Sequence, residues 1–141
     1  MKFFPFLLLL TSVTTFACPN LAGNYSCKEG NEAFQMAITQ TVVNGATVYQ
    51  QTSGQNQSTF TADGVARPQT VSDEGQTVKG TLTTTCSNSS VINKFQATHM
   101  GMEIDSTETI NLENEGLHIA QVTKVDGEEY RSEKFNCKRT N

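Results

Sequence analysis

The run MEIDSTETINLENEGLHIAQVTKVDG, residues 102–127, decides the fold class. Met102, Ile104, Ile110 and Leu112 share one parity, and Leu117 and Ile119 resume the pattern after Asn114-Glu115-Gly116. Apolar residues at every second position belong to a strand with one buried face, whereas a helix repeats every ~3.6 residues. Asn114-Glu115-Gly116 and Asp126-Gly127 read as turns. The same punctuation extends in both directions. Strands are expected over Ala22–Lys28, Ala33–Thr41, Ser58–Ala62, Val65–Val71, Gln76–Cys86, Val91–Met100, Met102–Glu113, Leu117–Val125 and Glu129–Lys138. Asn44-Gly45, between Val42-Val43 and Ala46–Tyr49, is a hairpin signal, because both central residues of a type I′ turn take positive φ. Pro68 cannot donate to a ladder, which places its strand on an edge or at a bulge. Gly80 marks a bulge or a close backbone approach. No segment keeps a helical period beyond about two turns. Roughly nine or ten antiparallel strands joined by short connections form an up-and-down meander. An all-β barrel of about eight to ten strands follows, since closure removes exposed edges, with a two-sheet sandwich as the alternative.

Composition agrees with a thin core. The 141 residues are 36% hydrophobic and 17% charged, with no Trp. Beyond residue 17 only Phe34, Phe60, Phe95 and Phe135 and four leucines remain. That excludes a large α/β enzyme core. The net charge of −4 and the pI near 5.1 exclude a nucleic-acid partner, because no basic surplus is available to displace counterions.

Residues 1–17 have the layout of a signal peptide: Lys2, an apolar run from Phe3 to Leu10, and a small, polar end at Thr15-Phe16-Ala17. Cleavage before Cys18 leaves one domain over residues 18–141, exported to a secreted, periplasmic or cell-envelope location. The apolar run is much shorter than the ~20 residues a spanning helix needs, so no transmembrane segment is expected. Cys18 at the new N-terminus resembles a bacterial lipoprotein acceptor, although Thr15 and Phe16 stand where such signals prefer Leu and a small residue. The alternative fate is a disulfide. Cys18, Cys27, Cys86 and Cys137 are an even set in an exported chain, with three pairings open to them. The expected pairing is Cys18–Cys137 and Cys27–Cys86, which ties the chain ends together and staples the first strand to the middle. No C-x-x-C pair supports metal binding, and no cofactor is expected.

Asn20-Leu21-Ala22-Gly23-Asn24-Tyr25 resembles the N-x-x-G-x-W opening of lipocalins, and avidins and fatty-acid-binding proteins share a similar start. The resemblance to these calycin barrels implies that Tyr25 plugs the closed end, that Gly23 permits close packing, and that an Arg of the last strand stacks on the aromatic. Arg131 and Arg139 are the candidates. The lipocalin T-D-Y motif is missing. Fatty-acid-binding proteins insert a helical pair after the first strand, whereas here Lys28 leads almost directly to Ala33. Avidin's pocket tryptophans are absent, and Cys27 replaces its biotin-contacting Asn. The resemblance therefore carries the architecture and no ligand site.

Polar residues on apolar faces are the remaining signal. Glu108 shares the parity of Ile104 and Ile110, so a regular strand points it inward, where an unpaired carboxylate is costly. The ordinary outcome is a bulge near Thr107 or a half-exposed strand with Glu108 in solvent; the functional outcome is a polar anchor in a cavity. Gln121 poses the same choice. His99 reads as a strand-end or satisfied core residue, with a lumenal cluster of His99, Glu108, Gln121 and Arg131 as the alternative. Met36, Met100 and Met102 read as core filler. No hydrolase, zinc-protease, P-loop or dinucleotide motif occurs. Acidic pairs fall in turns, and paired cysteines supply no thiolate, so no enzyme activity is expected. The sequons at Asn24, Asn56 and Asn88 matter only in a eukaryotic host.

The expected function is a secreted, lipocalin-like barrel that binds a small apolar or amphipathic ligand. Phe34, Met36, Phe95, Ile104 and Ile119 would line its lumen, with Glu108 or Gln121 as the polar contact. Such a site calls for a lumen of at least ~300 Å³. The alternatives are a cell-envelope structural or interaction protein, and a hydrolase inhibitor presenting the Ser53–Gln57 loop.

Overall fold

The computed structural model describes residues 17–140; of the expected leader only Ala17 falls among the described residues, and Asn141 lies outside them. Ten strands follow in order: β1 (Gly23–Glu29), β2 (Glu32–Val43), β3 (Ala46–Ser53), β4 (Asn56–Thr61), β5 (Arg67–Asp73), β6 (Gln76–Cys86), β7 (Ser90–His99), β8 (Met102–Glu113), β9 (Gly116–Val125) and β10 (Glu128–Thr140). They form one antiparallel sheet in the order β4-β3-β2-β1-β10-β9-β8-β7-β6-β5. The expected meander is present, and the chain's first and last strands pair to make it curl. The ladder has one interruption, between β4 and β5. Pro68 sits on β5, an edge strand, as its missing N–H requires.

Turn chemistry explains the regularity. Seven of the nine connections are two residues long. Asn44-Gly45, Glu74-Gly75, Met100-Gly101 and Asp126-Gly127 all have positive φ at both positions, the backbone of a type I′ turn. The Ser53–Gln57 stretch is a tight hairpin, with only Gly54 and Gln55 between β3 and β4. The β4–β5 connection is longer. There Asp63 accepts hydrogen bonds at 2.7 and 2.6 Å from the Arg67 guanidinium, which holds its carboxyl down to about 2.

The core gathers at one end of the curled sheet. Leu21, Tyr25, Cys27, Tyr49, Val91 and Ile110 are fully buried there, joined by Met36, Ile38, Phe60, Leu117 and Ile119. The segment before β1, residues 17–22, crosses this end as a strap. The Tyr49 hydroxyl donates to the Pro19 carbonyl and the Tyr25 hydroxyl to the Leu21 carbonyl, both at 2.7 Å. Burial raises the Tyr49 hydroxyl to about 12. The Leu21 N–H donates to Gln40 on β2 at 3.0 Å.

The disulfides correct the expected pairing. They join Cys18 to Cys86 and Cys27 to Cys137. Cys27 and Cys137 are direct partners in the β1–β10 ladder, so their side chains meet on the inner face. Cys18 does not extend β1 alongside β10; it rides on the strap, which delivers it to the end of β6. With its sulfur in that bridge, Cys18 is unavailable for a lipid thioether. The strap bridge also helps to span the interruption, together with the 2.9 Å hydrogen bond from the Gly64 N–H to the Thr84 carbonyl.

Two glycines record close approach. A Cβ on Gly80 would lie 2.3 Å from the Gln96 carbonyl oxygen, and one on Gly116 would lie 2.2 Å from that of Cys137. Gly80→Ala and Gly116→Ala are each expected to lower stability by about 1–3 kcal/mol, because backbone rather than a flexible side chain must move. Urea midpoints of the two variants against wild type measure this. Removing the strap bridge with Cys18→Ser/Cys86→Ser is expected to cost about 2–4 kcal/mol, measured by the same transitions.

Candidate functional site

Ladder register sorts the inner face into tiers. The first, nearest the packed end, is Cys86, Val91, Ile110, Ile119 and Phe135 on β6 to β10. The next is polar on every strand: Thr84, Asn93, Glu108, Gln121 and Glu133. Beyond it lie Leu82, Phe95, Ser106, Thr123 and Arg131, then Gly80, Ala97, Ile104 and Val125. Apolar residues fill the first tier, whereas the tiers above the polar one mix the large Leu82, Phe95 and Ile104 with the small Ser106, Ala97 and Gly80.

Three members of the polar tier are hydrogen-bonded in sequence, and the other two bond into the tier above. The Thr84 hydroxyl donates to Asn93 Oδ1 at 2.7 Å, and Asn93 Nδ2 donates to Glu108 Oε1 at 2.9 Å. Gln121 Nε2 donates to the Ser106 hydroxyl at 3.2 Å, which in turn lies 3.0 Å from that of Thr123. Glu133 pairs with Arg131. Unbroken β8 pairing on both sides removes the bulge expected near Thr107 and turns Glu108 inward. Burial pushes its carboxyl above the usual 4.5, and the Asn93 amide partly opposes this.

A cavity of about 230 Å³ opens above this tier. Phe95, Glu108 and Gln121 line it, as expected from the sequence. Gln51, Ser58, Phe60, Gln69, Val71, Leu82, Asn93 and Ser106 complete the wall and were not singled out by sequence reasoning. They come from both sides of the β4–β5 interruption, a juxtaposition that strand periodicity does not reveal. The volume is below the ~300 Å³ of ordinary ligand pockets, and the wall is mixed rather than apolar.

The other expected lining residues lie elsewhere. Met36 and Ile119 are each 3% exposed and belong to the packed core. Phe34 packs edge-on against Phe135, with ring centroids 5.7 Å apart. Ile104 borders a second, more open depression of about 450 Å³ with Gly80 and Ala97, rimmed by the exposed Lys79, Gln96, Thr98, Glu103 and Asp105. His99 ends β7 with its Nε2 buried and lacking a hydrogen-bond partner among the described residues. Met100 and Met102 are 81% and 40% exposed, so of the three methionines expected as core filler only Met36 fills the core. Met100 occupies a hairpin turn with φ of 51°, and its side chain lies in solvent. Among the described residues no metal-binding cluster occurs, and no helix is long and apolar enough to cross a membrane.

At the closed end, Arg139 of β10 lies over the Tyr25 ring, 5.6 Å from its centroid, and Nη2 donates to the Tyr25 hydroxyl at 3.0 Å. Gly23 makes room for it: a Cβ there would come within 3.2 Å of Arg139 Nε.

No protein-family model and no curated protein sequence matches the chain. Solved structures do match. The REP1-NXSQ fatty acid transporter superposes with a TM-score of 0.58 at 12% identity, covering 86% of this chain and 96% of its own. A point variant of that transporter gives 0.57 at 12% identity, over 85% and 98% of the two chains. Secretory abundant heat soluble protein 4 from Ramazzottius varieornatus gives 0.56 at 11% identity, over 85% and 94%. At this identity the likeness is one of fold.

Glu108 makes stability pH-dependent in a definite direction. Its folded carboxyl holds a proton more tightly than the unfolded chain's, so its contribution is complete below about 4.5 and is lost as pH rises through the raised value. Glu108→Gln is expected to flatten the rise-dependent loss. The difference between wild-type and variant urea midpoints across pH 4–8 isolates this group from Asp63, whose lowered pKa acts in the opposite sense.

Proposed function

We propose that this protein is an exported, non-enzymatic, calycin-like barrel that holds a small amphipathic molecule in its half-open lumen. The observation that carries the reading is the cavity above the Thr84-Asn93-Glu108-Gln121 tier: apolar walls at Phe60, Leu82 and Phe95 meet a hydrogen-bonding floor. A binding site needs this combination of an apolar body and a few placed polar groups. The fatty acid transporter among the matching folds supports a ligand with an aliphatic chain and says nothing of the headgroup. Arg139 stacked on Tyr25 supports kinship with calycins, where the resemblance of the first strand leads one to look for it. Two disulfides and the signal-peptide-like layout of residues 1–17 support export to an oxidising compartment. The 230 Å³ volume limits the enclosed part of the ligand to a headgroup and a short stretch of chain.

Native mass spectrometry of protein purified under mild conditions tests this. A discrete adduct is expected on wild type and is expected to vanish in Ser106→Phe, whose ring would occupy the cavity. Retention of the adduct by a folded Ser106→Phe protein would remove the lumen as its site.

A further inference from the structure

The cavity has an electrostatic character opposite to that of a carboxylate receptor. Among the described residues that line it there is no Lys, Arg or His, and Glu108 is the one ionisable group. The nearest cation in the tiers, Arg131, lies outside the lining and pairs with Glu133. Arg139 is at the packed end, engaged with Tyr25.

Glu108 is also oriented as an acceptor. Thr84 donates to Asn93 and Asn93 donates to Glu108, so the local dipoles converge on its carboxyl. That is the single hydrogen bond it makes among the described residues, on Oε1. A carboxylate has about four acceptor positions, so Oε2 is left to meet whatever enters. The groups facing it are uncharged: Asn93 from β7, Gln121 from β9, and Gln51, Ser58 and Gln69 across the cavity.

Building on the ligand-binding reading, we infer that the lumen selects amphiphiles with a primary amine headgroup and rejects fatty carboxylates. The ammonium would donate to Glu108 Oε2, with the Gln121 and Ser106 oxygens in reach as further acceptors on the same wall. The chain would lie along Leu82 and Phe95 and leave through the interruption between β4 and β5. A carboxylate in the same place would face the Glu108 carboxylate with no cation among the described lining residues to offset the repulsion. Charge-assisted hydrogen bonds are the stronger ones, and losing one in a desolvated site typically reduces affinity by about tenfold to a hundredfold.

The test is calorimetric titration of the full mature protein near neutral pH with octylamine, octanoate and octanol, each below its micellar concentration. Octylamine is expected to bind at least about tenfold more tightly than octanoate. In Glu108→Gln the octylamine affinity is expected to fall by about tenfold or more, while octanol changes little. Octanoate binding as tightly as octylamine, or an unchanged amine affinity in a folded Glu108→Gln protein, overturns the headgroup assignment and leaves the ligand-binding reading standing. Failure of all three probes to bind overturns both. Should circular dichroism show that Glu108→Gln does not fold, the wild-type ratio of amine to carboxylate affinity decides alone.

Discussion

The strap over residues 17–22 is the constraint on which the architecture depends. A ten-stranded meander whose ends, β4 and β5, are not hydrogen-bonded to one another has no backbone ladder to close it. Closure is supplied from outside the sheet. The strap gives its carbonyls to Tyr25 and Tyr49, takes a side-chain acceptor from Gln40, and ends in the bridge from Cys18 to Cys86. These contacts link β1, β2 and β3 on one side of the interruption to β6 on the other. Pro19 and Leu21, both buried, seal the end they cross. A chain with few large apolar residues thus concentrates them under the strap, and the cross-links restrict the unfolded ensemble where burial is limited.

That concentration at one end creates the site at the other. Inner positions alternate along each strand, and register decides what each tier contains. Tyr25, Tyr49 and Ile110 share the strap end, while Ser106, Ala97 and Gly80 interrupt the larger Leu82, Phe95 and Ile104 farther along. The interruption between β4 and β5 then lets side chains from two non-adjacent strands face one cavity. Packing and opening have one cause, the uneven distribution of side-chain volume along the barrel axis.

Local signals were legible in the sequence, and relations between distant segments were not. Asn44-Gly45 and Asp126-Gly127 specify their hairpins through φ, Pro68 announces an edge or a bulge, and Gly80 announces a bulge or a close approach; each is a property of a few residues. The disulfide pairing was misread because it depends on where Cys18 travels before β1 begins, and no periodicity describes a strap. Glu108 and Gln121 were visible as polar residues on apolar faces. Each alone has a cheaper explanation as a half-exposed position. Asn93 and Thr84 raised no question, since a polar residue in a Thr-rich strand is ordinary. Only the ladder shows that Thr84, Asn93, Glu108, Gln121 and Glu133 stand in one row.

A continuous row of that kind is difficult to explain by stability. Thr84, Asn93 and Glu108 occupy inner positions where Val, Leu or Ile would bury apolar area and require no partner. A partly desolvated carboxyl with a single protein donor is less favourable than a solvated one. The neighbouring tier shows that the strands accommodate Val91, Ile110 and Ile119 at equivalent inner positions. The chain therefore has apolar solutions within the same fold and does not use them at this height. Hydrogen bonds directed toward Glu108, rather than shared evenly along the row, leave its second oxygen facing space. A polar row serving only to fix strand register would be expected to close its own hydrogen bonds. One whose hydrogen bonds run toward Glu108 at a cavity wall leaves a carboxyl oxygen available to an incoming donor.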